Sequence, residues 1–326
     1  MSRALDKNLK ESLKHGDHNS VFLEISDVLI ESSDELLEIE LLGQSHVPDP
    51  SSTILRDDNA VAIPKLRLVQ AFIVAQKVLK KIQANSQSIS SKDISRSTAV
   101  MLLMDPEHLT AANARKRLIR NKLEDSHLQK ILHDEKHLVD SLLTSRLHRH
   151  TKSPTLWNHR RWLMEQLRLH NIDVPVEDDL TRIIMVSGER HPRNYYAWCH
   201  ARYLVNTFIL PSSSSQEEIL RMIITMQKWC FAHHNDISGW QFLIFLLDKQ
   251  PAETSPVFHE TLKLAASFKW GNESVWYFLR HVAARGVTDT DLEEFRTIRR
   301  TLWESAAENG IEKKTLERAE RWLTVS

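Results

Sequence analysis

His133 and His137 stand four residues apart in His133-Asp134-Glu135-Lys136-His137. On a helix that spacing puts both imidazoles on one face, the arrangement that can hold a zinc ion. Aspartate follows His133 and the glutamate falls one place late, so this is not the His-Glu-x-x-His of a metalloprotease. No third ligand stands nearby in sequence, and the segment reads as an exposed helix face. A second concentration is basic: Arg115, Lys116, Arg117, Arg120 and Lys122, then Arg146, Arg149, Lys152, Arg160 and Arg161. Such a cluster suits a diphosphate or an acidic polypeptide tail. For Arg160, Arg161 and Arg202 the simpler reading is ion pairing between helices. Phosphate loops of the GxxxxGK or GxGxxG kind and the GxSxG elbow are missing, so the chain shows no self-sufficient catalytic set.

What must position these residues is a block that recurs about every forty residues. Its clearest copies are Ser153-Pro154-Thr155-Leu156-Trp157-Asn158-His159-Arg160-Arg161-Trp162 and Asn194-Tyr195-Tyr196-Ala197-Trp198-Cys199-His200-Ala201-Arg202. Weaker copies surround Trp240 and Trp276, and an eroded one holds Ala112 where a tryptophan is expected. The tryptophans lie 41, 42 and 36 residues apart, and Ala112 stands 45 before Trp157. A period of this length means stacked helical hairpins, because one hairpin cannot bury its apolar face alone.

Composition agrees. Glycine occurs only 7 times in 326 residues, against roughly 23 at average usage, while tryptophan occurs 9 times. Parallel-sheet nucleotide folds need glycine turns; tightly packed helices do not. The formal net charge of +0 removes the simplest electrostatic case for nucleic acid. The two cysteines, Cys199 and Cys230, form no CxxC pair and suggest a reducing, cytoplasmic setting. No apolar h-region follows Met1, and the longest apolar run, 242–247, is too short to span a bilayer.

The apolar periodicity predicts helices over 110–121, 127–149, 154–170, 177–190, 194–209, 216–233, 237–249, 256–269, 273–285, 289–308 and 312–324. Pro64 opens another helix, Lys65 to Gln83, and Leu5 to Lys14 and Ser20 to Leu42 also read as helical. The acidic run from Glu24 to Glu40 is then a solvated helix face. Gly271, Gly286 and Gly310 fall where helix C-caps are expected. Polar residues 85–91 form a linker, and no convincing strand is seen. The expected fold class is all-α, an α-α superhelix made as a right-handed solenoid of helical hairpins. The expected division is an N-terminal, mostly helical region over 1–92 and the repeat array over 93–326.

The residues Trp157, Asn158, Arg160, Arg161, Asn194, Trp198, Arg202, Trp240 and Trp276 carry a resemblance to the repeat of protein prenyltransferase α subunits, over about 100–285. The resemblance implies a crescent of hairpins wrapping a separate β subunit that bears the catalytic zinc. It implies no cofactor in this chain and geranylgeranyl diphosphate as co-substrate of the complex. The implied partner is a Rab-type geranylgeranyltransferase β subunit. The implied reaction is transfer of geranylgeranyl to a C-terminal cysteine of a membrane-trafficking protein such as a SNARE. Arg193 stands where the family places a diphosphate-binding lysine, and Tyr195 offers a hydroxyl beside it. Leu243 and Leu279 replace the repeat arginine in the last two copies. The alternative expectation is a helical-repeat adaptor for protein–protein interaction, without prenylation activity. Neither reading calls for nucleic acid or a transmembrane segment.

Overall fold

The computed structural model describes residues 17–47, 49, 51–84, 89–122, 126–285 and 287–325. The helix expected over Leu5 to Lys14, the linker residues 85–88 and Gly286 lie outside them. The chain forms two compact units, one of Met1–Val174 with Glu189–His191 and one of Pro175–Gly188 with Pro192–Ser326. The fold class is all-α, with one small sheet.

In the first unit, α1 (His18–Ile30) is capped by the Asp17 carboxylate, which accepts from the Ser20 amide at 3.1 Å. It buries Val21, Phe22, Ile25 and Leu29, one helical stripe. The helix expected to reach Leu42 ends at Ile30. Beyond it the Ser33 hydroxyl donates to the Glu35 carbonyl at 2.6 Å, a local bond that competes with helical pairing. Glu38-Ile39-Glu40-Leu41 then alternates with period two and forms β1 (Glu38–Leu42). It pairs parallel to β3 (Ala60–Pro64), which pairs antiparallel to β2 (Leu55–Asp57), in the order β1-β3-β2. Ile39, Val61 and Ile63 point into the core. Reading Ser20 to Leu42 by helical period alone hid this sheet.

Pro64 ends β3 and leads directly into α2 (Lys65–Gln83), whose bounds match the sequence expectation. α2 packs on α1 and on α3 (Ser91–Met104). The repeats begin with α4 (Leu109–Arg120), followed by α5 (Leu128–Leu143), the short α6 (His148–Thr151) and α7 (Pro154–Leu169). α5 was expected to continue to 149. It stops because the Thr144 and Ser145 hydroxyls each donate at 2.7 Å to carbonyls of its last turn.

His150, on α6, is buried. Its Nε2 lies 2.9 and 3.1 Å from the Leu103 and Leu102 carbonyls, while Nδ1 has no partner. A proton on Nδ1 would be stranded, and burial lowers the pKa from 6.5 to about 4, aided by Arg149 and opposed by the two carbonyls and Asp105. The folded state therefore binds fewer protons than the unfolded chain between those values. Stability is full above about pH 6.5 and falls by about 3 kcal/mol as pH drops toward 4. Urea midpoints measured across that window should decline, and decline less in His150→Gln. Equal slopes in the two proteins would remove this assignment.

α8 begins in the second unit at Val176–Asp178, passes through a π-helical stretch, Asp179–Met185, and closes at Val186–Arg190, whose last two residues are counted with the first unit. α9 (Tyr195–Leu204) also continues as a π-helix, Val205–Ile209. There follow α10 (Ser215–Ala232), α11 (Ile237–Leu247), α12 (Thr254–Phe268), α13 (Glu273–Ala283), α14 (Asp289–Ser305) and α15 (Ile311–Val325). α9, α11, α13 and α15 pack in succession, while α10, α12 and α14 pair with α11, α13 and α15. This is the stacked-hairpin arrangement the repeat period demanded.

The C-cap assignments shift. The left-handed positions are Lys269 (φ 54°) and Asn309 (φ 62°), just before Gly271 and Gly310. Gly271 is small for another reason: a Cβ there would come within 2.9 Å of the Glu312 Cβ on α15. At Gly239 a Cβ would overlap the Trp229 ring, so this glycine sets how closely α11 meets α10.

Candidate protein-docking face

Each repeat helix is built on one local device. The N-cap stands four residues before the tryptophan, as Ser153, Asn194, Asp236 and Asn272. Each cap side chain accepts from a backbone amide two or three residues on, from Leu156 at 3.1 Å, Ala197 at 3.3 Å, Ser238 at 2.9 Å and Val275 at 3.1 Å. The eroded first copy keeps the same register. His108 caps α4 four residues before Ala112, its Nδ1 accepting from the Ala111 amide at 3.2 Å.

The tryptophans are core residues. Trp157, Trp240 and Trp276 each donate Nε1–H to the carbonyl six residues earlier, at 2.9, 3.1 and 2.7 Å. The indole thereby locks the entry loop onto the helix it precedes. Trp198 departs from this, since its Nε1 is buried without an acceptor. In that repeat Arg193 adopts a left-handed conformation (φ 61°) and turns the entry loop.

The repeat arginines divide by depth. Arg115 and Arg160 stand three residues after Ala112 and Trp157, and both are buried against carboxylates of α5. Arg115 Nη2 lies 2.6 Å from Glu135 Oε2, and Arg160 Nε lies 2.7 Å from Asp140 Oδ1. Lys136 reaches Asp140 at 2.7 Å, and buried His159 stands 2.9 Å from Glu135. Glu135 loses solvation on burial, yet Arg115 and His159 hold its carboxyl well below the usual range, while burial pushes the His159 pKa down. Arg161, expected to pair between helices, is exposed and stands 3.5 Å from Glu165 on its own helix. Arg202 is half-buried and donates to the Trp198 carbonyl at 3.0 Å. Asn158 is exposed beside the buried Trp157.

The residues expected to meet a diphosphate lie on the surface. The Arg193 side chain is exposed, and its backbone amide donates to Asp236 Oδ2 at 2.7 Å. Tyr195 is 69% exposed; its ring meets Tyr196 edge-on, and its hydroxyl pKa is raised, first by the hydrogen bond with Cys199. The basic cluster is dispersed as well. Arg146 faces Glu38, Arg149 faces Asp105, and Lys116 and Arg120 lie 5.6 and 5.7 Å from the Trp162 ring centroid. His133 is exposed, whereas His137 is buried with Nε2 2.9 Å from the Glu35 carbonyl, so only His133 fits the exposed face expected of the pair. Among the described residues no group of three or more His, Cys, Asp or Glu is placed to hold a metal ion. Among them, too, no helix is long and apolar enough to cross a membrane.

What remains open is a second column of the repeat. Positions one and five after each tryptophan share a helical face that the packing covers only in part. In the second unit they hold Cys199 and Tyr203, Gln241 and Phe245, and Tyr277 and His281, each exposed or half-buried. The Phe245 ring lies 5.7 Å from the Arg202 guanidinium and 5.4 Å from Lys249. Tyr277 stacks on His281 at 3.9 Å, and His281 meets Trp322 at 4.7 Å. In the first unit the same column holds Trp162 under Lys116 and Arg120. Sequence reasoning missed this column. Aligning the copies and asking which positions stay aromatic without joining the tryptophan stripe would have found it. It also missed the buried roles of Glu135 and Asp140, which stand among other polar residues of α5 and carry no local sign of burial.

Comparison with known proteins agrees with the repeat. Residues 139–167 match the protein prenyltransferase alpha subunit repeat, and 156–268 match the ECM9 middle domain. The chain is 26% identical over 208 residues to Protein ECM9 of Saccharomyces cerevisiae, covering 63% of this chain and 53% of that protein. It is 28% identical over 178 residues to protein prenyltransferase alpha subunit repeat-containing protein 1 of Homo sapiens, covering 48% and 40%. The Danio rerio protein of that name is 25% identical over 178 residues, covering 49% and 38%. The chain thus spans about half the length, or less, of the curated relatives it matches. These findings overturn the expectation of a geranylgeranyltransferase α-type subunit: the relatives are named for the repeat or as ECM9, and nothing in them indicates catalytic activity. The match over 139–167 runs from the last turn of α5 through most of α7 and takes in Asp140, Trp157 and Arg160, so over that segment the chain is similar to the protein prenyltransferase alpha subunit repeat.

Proposed function

We propose that this chain is a helical-repeat adaptor, a protein-binding module with no prenyl-transfer chemistry of its own. One observation carries the reading. The caps, tryptophans and buried arginines of the repeat are used up in packing, while the column one and five residues after each tryptophan keeps Trp162, Phe245 and Tyr277 only half-buried. Partly accessible aromatic residues beside arginines are the usual energetic centres of protein interfaces. Stacked repeats present such residues in a row, which suits an extended partner surface.

The test places a photo-reactive phenylalanine analogue at Phe245 and, separately, at Ile224, which is exposed on the outer helix α10. The partner crosslinked in cells is identified, produced pure and mixed with the chain. Crosslinking from Phe245 but not Ile224, followed by a stoichiometric complex in size exclusion, is the expected result. Equal crosslinking at both sites, no reconstituted complex, or transfer of a labelled isoprenoid by the purified chain would overturn the reading.

A further inference from the structure

The docking column of the second unit carries a charge imbalance that selects its partner. Arg202 on α9 is half-buried over the Phe242 and Phe245 rings, at 5.7 Å from each. It donates to the Trp198 carbonyl at 3.0 Å, and among the described residues no carboxylate pairs with it. Lys249, just beyond α11, lies 5.4 Å from the Phe245 ring centroid and likewise has no carboxylate partner among them. The acidic groups on neighbouring helices are already engaged. Asp248 pairs with Arg285, and Glu273 pairs with Arg280 at 2.7 Å and Arg318 at 3.2 Å. A guanidinium that has shed part of its water without gaining a counter-ion gains most from an incoming carboxylate.

The spacing adds a second constraint. α9, α11, α13 and α15 pack in succession and offer Arg202, Phe245, Tyr277 and Trp322 across the row. Packed helices stand about 8–10 Å apart. A polyproline II segment advances about 9 Å in each three-residue turn, so every third residue meets the next helix. Aromatic surfaces suit the flat faces of such a segment, which is already extended and loses little freedom on binding.

We propose that this face binds an acidic polyproline II segment with a carboxylate at every third residue, its prolines lying on Phe245, Tyr277 and Trp322 and its carboxylates meeting Arg202 and Lys249. This rests on the adaptor reading and names the partner's chemistry. A nucleic acid fits less well, because two uncompensated cations neutralise too few phosphates to hold a polyanion.

The experiment uses the full chain and fluorescein-labelled probes: a peptide of four Pro-Pro-Glu triplets, its Pro-Pro-Lys counterpart, a Gly-Ser-Glu peptide of equal charge, and a twelve-nucleotide oligouridine. Fluorescence anisotropy should show the Pro-Pro-Glu peptide binding at least about tenfold tighter than each of the others. Lys249→Glu, on an exposed side chain, should weaken it by about tenfold or more. Arg202→Gln should do the same, with circular dichroism melting to verify that it folds. Tighter binding of oligouridine, equal binding of the Glu and Lys peptides, or indifference to Lys249→Glu would overturn the proposal. So would light scattering that shows the face occupied by a second copy of the chain. If the peptides fail while the partner crosslinked at Phe245 still forms its complex, the acidic chemistry is wrong and the adaptor stands. If both fail, the adaptor reading falls as well.

Discussion

Asp140→Ala is expected to destabilise the first unit by about 3–5 kcal/mol, and the double variant Asp140→Leu/Arg160→Met to recover most of that loss. Asp140 is 1% exposed and Arg160 is 0% exposed. The carboxylate receives Arg160 Nε at 2.7 Å and Lys136 Nζ at 2.7 Å. Removing it leaves a guanidinium in the core that cannot shed its proton at any working pH. Replacing both partners removes the stranded charge and restores apolar volume, which buried ion pairs tolerate well. Urea unfolding, fitted with separate transitions for the two units, reads the difference. A double variant as unstable as Asp140→Ala would mean that backbone or packing damage, not the unpaired charge, sets the cost. Arg115 with Glu135 forms the neighbouring pair, also anchored on α5. Together the two pairs fix which turn of α5 faces which motif helix.

Trp240→Ala should cost the second unit about 3–5 kcal/mol, the range for truncating a buried aromatic residue. The Trp240 ring is fully buried, with Phe278 at 4.9 Å and Phe231 at 6.1 Å, and its N–H holds the His234 carbonyl. The sharper measurement compares phenylalanine at two equivalent positions. Trp240→Phe loses that hydrogen bond and strands a carbonyl in addition to lost volume. Trp198→Phe removes a buried donor that had no acceptor at all. An unpaired buried donor costs about 1–3 kcal/mol, so Trp198→Phe should be milder than Trp240→Phe by about that margin. Both residues lie in the second unit, so the same unfolding transition reports on both. Equal losses would show that ring volume alone decides these sites.

The positions of most helices were legible because their signals are local. The Ser153-Pro154 cap, the stripe through α2 and the tryptophan period all act within a few turns of chain. Failures occurred where a local preference was overruled or ambiguous. Glu38 to Leu42 carries enough leucine and glutamate to pass as helix, and only pairing with β3, some twenty residues on, makes it a strand. α5 ends early because two hydroxyls cap its carbonyls, a choice between two local bonds that composition does not settle. The πs-helical turns in α8 and α9 leave the helix extents intact and change only the pairing register.

The motif itself was visible, but its meaning was not. Sequence alone determined that the chain is a helical repeat, where its caps and tryptophans fall, and that glycine-dependent nucleotide folds are excluded. These follow from periodicity and from backbone donors that each helix start must satisfy. Only the tertiary structure decided what the charged and aromatic residues do. Arg160 and Arg161 are neighbours of one type, yet one is buried on Asp140 and the other faces solvent, because a helix turns about 100° per residue and α5 covers one side alone. Arg193 and Tyr195 are read by resemblance as a diphosphate site, and the tertiary structure places both side chains on the surface. Tyr203, Phe245 and Tyr277 carried no local signal distinguishing them from core aromatic residues. How far they are covered depends on which helices stack against them, and stacking is a property of contacts between distant segments rather than of any window of sequence.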